Sequence, residues 1–222
     1  MTAAPAKRSI RSYVLRQGRT TPSQQRALDE LFPRFGIPFS ETFLNAKEVF
    51  GRTARLVLEI GSGMGETTAE IAQANPQTDF IAIEVHGPGV GSLLKKIQNL
   101  KLTNLRIIRH DAVEALERMV PDGALAGIHL FFPDPWPKKR HHKRRLVQVP
   151  FAALAARKLA PGAYFHAATD WPEYATQIEE VFSSSSFFEK ELKEPKGRPV
   201  TKFERRGIGL GHPVRDLFVR RR

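Results

Sequence analysis

The chain has 222 residues, 41% of them hydrophobic and 26% charged, a balance that describes one globular domain with a core of its own. It contains no cysteine, which excludes disulfides and thiolate-held metals and fits a reducing compartment. No apolar run approaches the ~18 residues of a membrane span, so a cytoplasmic protein without a membrane partner is expected.

Residues 1–20 are polar, basic and aperiodic, with no apolar segment of the kind a secretory leader needs, and they are read as an arm that is disordered when alone. "TPSQQRALDEL" begins a helix: Thr21 is the N-cap, Pro22 the first helical residue, and Gln24 closes a capping box. Two prolines and a glycine in "FPRFGIPF" are expected to break that helix. The division expected is a basic arm and helix over 1–50 and a larger domain over 51–222.

From residue 55 onward, apolar runs alternate with amphipathic ones. "RLVLEIG" is a strand and "MGETTAEIAQAN" carries a helix; "DFIAIEV" and "GVGSLLKKIQNL" repeat the pair. "LRIIRH" leads to "AVEALERM", "AGIHLFF" to a helix starting near Lys143, and "GAYFHAAT" to "PEYATQIEEVF". Four serines at 183–186 mark a loop, and "PVRDLFVRR" reads as a last strand, expected at an edge. Short continuous apolar runs between helices indicate βαβ units around a parallel sheet buried on both faces. Right-handed crossovers make that a doubly wound, mostly parallel α/β sheet of Rossmann-like form.

Ligands of such sheets bind beyond the carboxyl ends of the strands. The strand ends here offer Glu59 with "GSGMG", Glu84, Asp111, Asp134 and Asp170: five carboxylates on one rim. Gly61, Gly63 and Gly65 allow a tight turn close to a ligand. A dinucleotide fingerprint would place its third glycine one residue later and would avoid a carboxylate before the loop. Glu59 repels a pyrophosphate and attracts a cation, which favours S-adenosylmethionine, a ligand with a sulfonium and an ammonium but no phosphate. Glu84, 19 residues after Gly65, is placed to accept ribose hydroxyls, and Asp111 the adenine amino group.

Basic residues outnumber acidic ones ten to four over 1–55 and nineteen to ten over 131–222, whereas 56–130 holds six against nine. An acidic middle between basic flanks suggests a polyanion held by the flanks. The densest run, Lys138–Arg145, has six Lys/Arg and two His in eight residues and directly follows "FFPDPWP". His141 and His142 are adjacent and have no cysteine beside them, so no metal site is expected. His129 and His166 fall inside strands and read as satisfied core residues. Trp136 can stack on a base or cap the core.

"LEIGSGMGETT", "IAIEVHGPGVGSLLKKI", "FFPDPWPKKRHHKRRL", "ATDWPEYA" and "TKFERRG" resemble the bacterial tRNA (guanine-N7-)-methyltransferase family, over about residue 9 to the C-terminus. The resemblance implies a class I methyltransferase sheet and methylation of the variable-loop guanine of tRNA, position forty-six by tRNA convention. It implies that Glu59, Glu84 and Asp111 bind S-adenosylmethionine with the glycine turn, and that Asp134 is the catalytic residue beside the sulfonium. Lys138, Asp170 and Thr201, Lys202, Phe203 and Glu204 match substrate-binding positions, and Arg140, His141, His142, Lys143, Arg144 and Arg145 match an RNA-contacting segment. No obligate protein partner is implied. Two rival readings are another nucleic-acid methyltransferase, acting on an exocyclic amino group, and a non-catalytic RNA-binding module on the same fold. The first would use a [DN]-P-P-[YFW] turn, which "PDPW" matches only in part; the second would have broken cofactor acids, and these are intact.

Overall fold

The apolar runs pair into one sheet. In a computed structural model, residues 11–14, 18–190, 198–199, 204 and 213–222 are described. The strands are β1 (Gly36–Ile37), β2 (Arg55–Ile60), β3 (Thr78–Ile83), β4 (Leu105–Ile108), β5 (Leu125–Phe131), β6 (Leu159–Thr169), β7 (Phe188–Lys190) and β8 (Arg215–Arg221). Their order across the sheet is β1-β4-β3-β2-β5-β6-β8-β7. All pairs from β1 to β6 are parallel, and β8 is antiparallel to both its neighbours. The order reverses direction at β2, which lies between β3 and β5.

The helices are α1 (Pro22–Phe35), α2 (Ala46–Phe50), α3 (Glu66–Ala74), α4 (Gly87–Asn99), α5 (Ala112–Met119), α6 (Val149–Lys158) and α7 (Pro172–Ser183), with a 3-10 helix over Lys139–Arg144. Alternate residues of each central strand enter opposite layers, as a period of two requires. Val57, Phe80, Ala82 and Ile107 pack under α1, α3 and α4. Leu56, Leu58, Ile81, Ile83, Ile128 and Phe165 pack under α5, α6 and α7. Burial on both faces explains why these strands read as unbroken apolar runs.

α1 has the expected capping box: Gln24 N–H donates to Thr21 Oγ1 at 3.2 Å, and Thr21 N–H to Gln24 Oε1 at 2.9 Å. It ends within the expected stretch, at the C-cap Gly36, although Pro33 itself is held inside it. Pro33 removes a single intrahelical bond near the helix end, and packing on α4 outweighs that loss. Gly91 permits the close approach, since a Cβ there would lie 2.6 Å from the Gln24 carbonyl oxygen. The chain then supplies β1 to the sheet edge beside β4.

Two other expectations are corrected. No α-helix starts near Lys143: residues 139–144 form the 3-10 helix, and α6 starts at Val149 with Pro150 in its first turn. The link between them is pinned in extended form by α7, with Val147 N–H donating to Tyr174 OH at 3.1 Å and Gln177 Nε2 to the Val147 carbonyl at 2.9 Å. The final strand, β8, is internal, and β7 covers its outer side.

Candidate active site at the carboxyl rim of the sheet

Because β2 to β6 run parallel, their carboxyl ends meet along one edge, and the five acids lie there. Glu59 is the penultimate residue of β2, Glu84 follows β3, Asp111 and Asp134 stand three residues past β4 and β5, and Asp170 follows β6.

Glu59 is 4% exposed, and its Oε2 has no hydrogen-bond partner among the described residues. Burial pushes its carboxyl up to about 7; the nearby Thr68 hydroxyl opposes this, and the Glu84 charge adds to it more weakly. An unpartnered buried carboxylate is costly alone and is relieved by a cation. The loop above it has room for one. Gly61, Gly63 and Gly65 have φ of 74°, 56° and 79°, and a Cβ on Gly61 or Gly63 would meet nothing within 4 Å.

Glu84 holds that loop. Its Oε2 accepts from Gly63 N–H at 2.8 Å, and its Oε1 accepts from Val85 and His86 N–H at 2.7 and 2.9 Å. Three of roughly four acceptor positions are thus occupied by the main chain, which leaves one on Oε2 for a hydroxyl. Asp111 is the N-cap of α5, its Oδ1 accepting from Val113 and Glu114 N–H at 2.9 and 3.0 Å. Its Oδ2 makes no hydrogen bond among the described residues. These three acids, with the open glycine turn, fit a cationic nucleoside such as S-adenosylmethionine.

Asp134 differs from them. It is exposed and stands on a turn whose flanking residues, Phe132 and Trp136, have φ of 51° and 46°. Left-handed geometry in large non-glycine residues is strained and persists only where surroundings enforce it. Here the Trp136 indole N–H donates to the Ser12 carbonyl at 3.1 Å. The Arg144 guanidinium lies 5.0 Å from the centre of that indole, and His141 meets it edge-on at 5.8 Å. Trp136 therefore packs against the arm and the basic run.

The arm contact was not legible in the sequence. Next to Ser12, Tyr13 lies near enough to Asp111 and Glu114 that partial burial and those charges raise its phenol, against the opposing pull of Arg11. Residues 12–13 thus connect the Trp136 turn with the start of α5. Positions 1–10 and 15–17 of the expected arm lie outside the described residues.

Among the expected RNA contacts, Arg140 and Lys143 are exposed, as is the substrate candidate Lys138. His141, His142 and Arg144 are half-buried; burial and the cations around it lower the His141 pKa. Arg145 is 3% exposed and turned inward. Of the four expected substrate residues in "TKFE", Thr201, Lys202 and Phe203 lie outside the described residues. Glu204 accepts from Arg198 Nη1. Arg198 also makes a two-point fork to Asp216, Nε to Oδ1 at 2.9 Å and Nη2 to Oδ2 at 3.0 Å, and His166 Nε2 lies 2.7 Å from the same Oδ1. Burial alone would raise the Asp216 carboxyl, and the hydrogen bonds from His166 and Arg198 more than offset that. Sequence reasoning passed over Arg198, although an acid two residues before Phe218 on β8 signals a nearby partner.

His129 fulfils its expected core role only in part. Its Nε2 pairs with Tyr164 OH at 2.9 Å, but its buried Nδ1 has no hydrogen-bond partner among the described residues. Burial and the neighbouring His166 push its pKa down to about 3.

Residues 53–217 match the protein family described as "Putative methyltransferase". A Chromobacterium violaceum protein named tRNA (guanine-N(7)-)-methyltransferase is 56% identical over 220 residues, covering 97% of each chain. A Methylobacillus flagellatus protein of the same name is 55% identical over 222 residues, covering 98% of this chain and 93% of that one. Among solved structures, the 16S rRNA methyltransferase KamB matches with a TM-score of 0.58 at 18% identity, over 81% of this chain and 94% of that one. The aminoglycoside resistance methyltransferase NpmB1 matches at 0.54 and 15%, over 80% and 92%. At such identities the likeness is one of fold: the class I methyltransferase sheet.

Proposed function

The chain belongs to the tRNA (guanine-N(7)-)-methyltransferase family, and from that premise we propose that it methylates N7 of the variable-loop guanine at tRNA position forty-six, using the rim described above. S-adenosylmethionine supplies an electrophilic methyl group on a sulfonium. As the N7–carbon bond forms and the carbon–sulfur bond breaks, positive charge passes to the purine and S-adenosylhomocysteine is left.

Guanine N7 carries a free lone pair at neutral pH, so no proton has to leave before it reacts. The protein has two tasks: alignment, and tolerance of a cation appearing on the base. Glu59, Glu84 and Asp111 suit the first, holding the ammonium, ribose and adenine ends. Asp134 suits the second, since its carboxylate can accept from the guanine N1–H and amino edge and favour the purine's developing charge. Asp170 at the neighbouring strand end, Lys138 and Glu204 are assigned to the substrate. Arg140 and Lys143 are assigned to phosphates, which position RNA without reading its sequence. No metal is assigned a role.

The observation that carries the reading is the orphaned Glu59 oxygen beneath an open glycine turn, a site for a cation on the strand next to that bearing Asp134. The test is transfer of labelled methyl from S-adenosylmethionine to unmodified tRNA, followed by nucleoside analysis. 7-Methylguanosine is expected. An N-methylated exocyclic amine would overturn the target atom, and no transfer at all would overturn the enzyme.

A further inference from the structure

The basic run after the Asp134 turn ends on a residue unlike the rest of it. Lys138, Lys139, Arg140 and Lys143 are exposed, whereas the Arg145 side chain is 2% exposed. Its Nε donates to the Pro135 carbonyl at 2.8 Å, its Nη1 to Gln177 Oε1 at 2.8 Å, and its Nη2 lies 3.1 Å from His142 Nε2. The Tyr174 ring on α7 lies 5.0 Å from the guanidinium carbon. The nearest carboxylate, Glu173, is 3.8 Å away and itself 69% exposed. The guanidinium is thus turned toward α7 and the turn, with its three nitrogens engaged there and little of it open to solvent.

We propose that Arg145 is a positioning residue for methyl transfer, holding the Pro135 carbonyl and through it the Asp134 carboxylate, and that it makes no phosphate contact. This rests on the catalytic assignment of Asp134 given above. Pro135 is the next residue to Asp134, and its carbonyl precedes Trp136, whose left-handed φ of 46° needs an outside restraint. Arg145 supplies that restraint from a rigid base, because Gln177 is itself tied to the Val147 carbonyl and Tyr174 OH accepts from Val147 N–H. A planar fork that meets a carbonyl, an amide and an imidazole at once is a task for guanidinium and not for ammonium.

The test compares Arg145→Ala and Arg145→Lys with the exposed Lys143→Ala, using the full chain and unmodified tRNA. Single-turnover rates at saturating substrates and tRNA affinity across a salt series are measured. Both Arg145 variants should lose about 100-fold in rate, the order expected of a misplacement near 1 Å, with the parent's log–log salt slope unchanged. Millimolar guanidinium should restore part of the rate to Arg145→Ala and none to Lys143→Ala. Lys143→Ala, at a residue assigned to phosphates, should lose about 0.7–0.9 from the slope. A reduced slope in Arg145→Ala, or full activity in Arg145→Lys, would return Arg145 to the phosphate contacts and overturn the proposal. Rate loss accompanied by weakened cofactor binding and no guanidinium rescue would also overturn it, in favour of general stability. Should Arg145→Ala fail to fold, Gln177→Ala removes the fork's second anchor and should lower the rate several-fold at constant slope; an unchanged rate there would overturn it too. Parent enzyme in the same assay must yield 7-methylguanosine. Its failure to do so would strike the functional reading and leave the Arg145 comparison of salt slopes standing.

Discussion

At the β2, β3 and β4 end of the rim, carboxylates are buried or tied to main-chain amides; at the β5 and β6 end they are not. Glu84 accepts three backbone N–H groups and Asp111 accepts two, so their positions follow from the local path of the chain. Asp134 has no such ties among the described residues, and its placement depends on a strained turn held by Trp136, Ser12 and Arg145. The first arrangement suits a ligand whose charge is constant on arrival. The second suits a charge that appears during reaction, because a carboxylate not consumed by the main chain is left to meet it. If this contrast is correct, the two ends should fail differently when mutated.

The largest effect is expected at Asp134. Asp134→Asn keeps the size but removes the charge, and kcat should fall by about 10²–10³ while cofactor and tRNA affinities stay within a few-fold of the parent. Single-turnover rates and equilibrium binding measure the two separately. Near-normal turnover would remove Asp134 from the reacting geometry and erase the contrast.

Glu59 gives the converse. Its folded-state carboxyl is raised to about 7 from an ordinary 4.5, so the free protein holds a proton there at pH 6, and a bound cation must expel it. Affinity for S-adenosylmethionine should therefore strengthen by up to about tenfold per unit as pH rises toward 7, and level off above it. The stability of the free protein moves the other way. The unfolded chain ionises near 4.5 while the folded one does not, so stability declines from about pH 4.5 to 7. Glu59→Gln should weaken binding about 10–100-fold at pH 8, the worth of a charge-assisted hydrogen bond, and abolish the pH dependence. Calorimetry in two buffers of different ionisation enthalpy reads the released proton. Equal slopes for parent and variant would show that Glu59 is not the titrating group.

The same contrast explains what the sequence disclosed. Apolar periodicity located the central strands because each is buried on both faces, and parallel pairing then forced Glu59, Glu84, Asp111, Asp134 and Asp170 to one edge. Local rules also captured the α1 capping box. They failed where tertiary contacts outweigh local preference. Pro33 sits inside α1 because α4 supports it, and Lys139–Arg144 form a 3-10 helix because α7 pins the link that follows. A run of eight basic and imidazole side chains cannot reveal which of them turns inward, since the α7 residues that draw Arg145 in, Tyr174 and Gln177, lie about thirty positions away. The Asp216 cluster was also passed over, although an acid on a strand otherwise packed by Leu217 and Phe218 hints at a partner, and Arg198 and His166 provide it.

The smallest effect should be the pH dependence of the chemical step itself, and its smallness is the point. An attacking lone pair that is already free needs no general base, so the single-turnover rate at saturating substrates should be nearly flat from about pH 6 to pH 9. The Glu59 titration does not disturb this, because saturating cofactor has already expelled that proton. Burial and the neighbouring cations hold the His141 pKa below its ordinary value. A rate climbing tenfold per pH unit through neutrality would require a base, and with it a target atom that must lose a proton, as an exocyclic amine does and N7 does not.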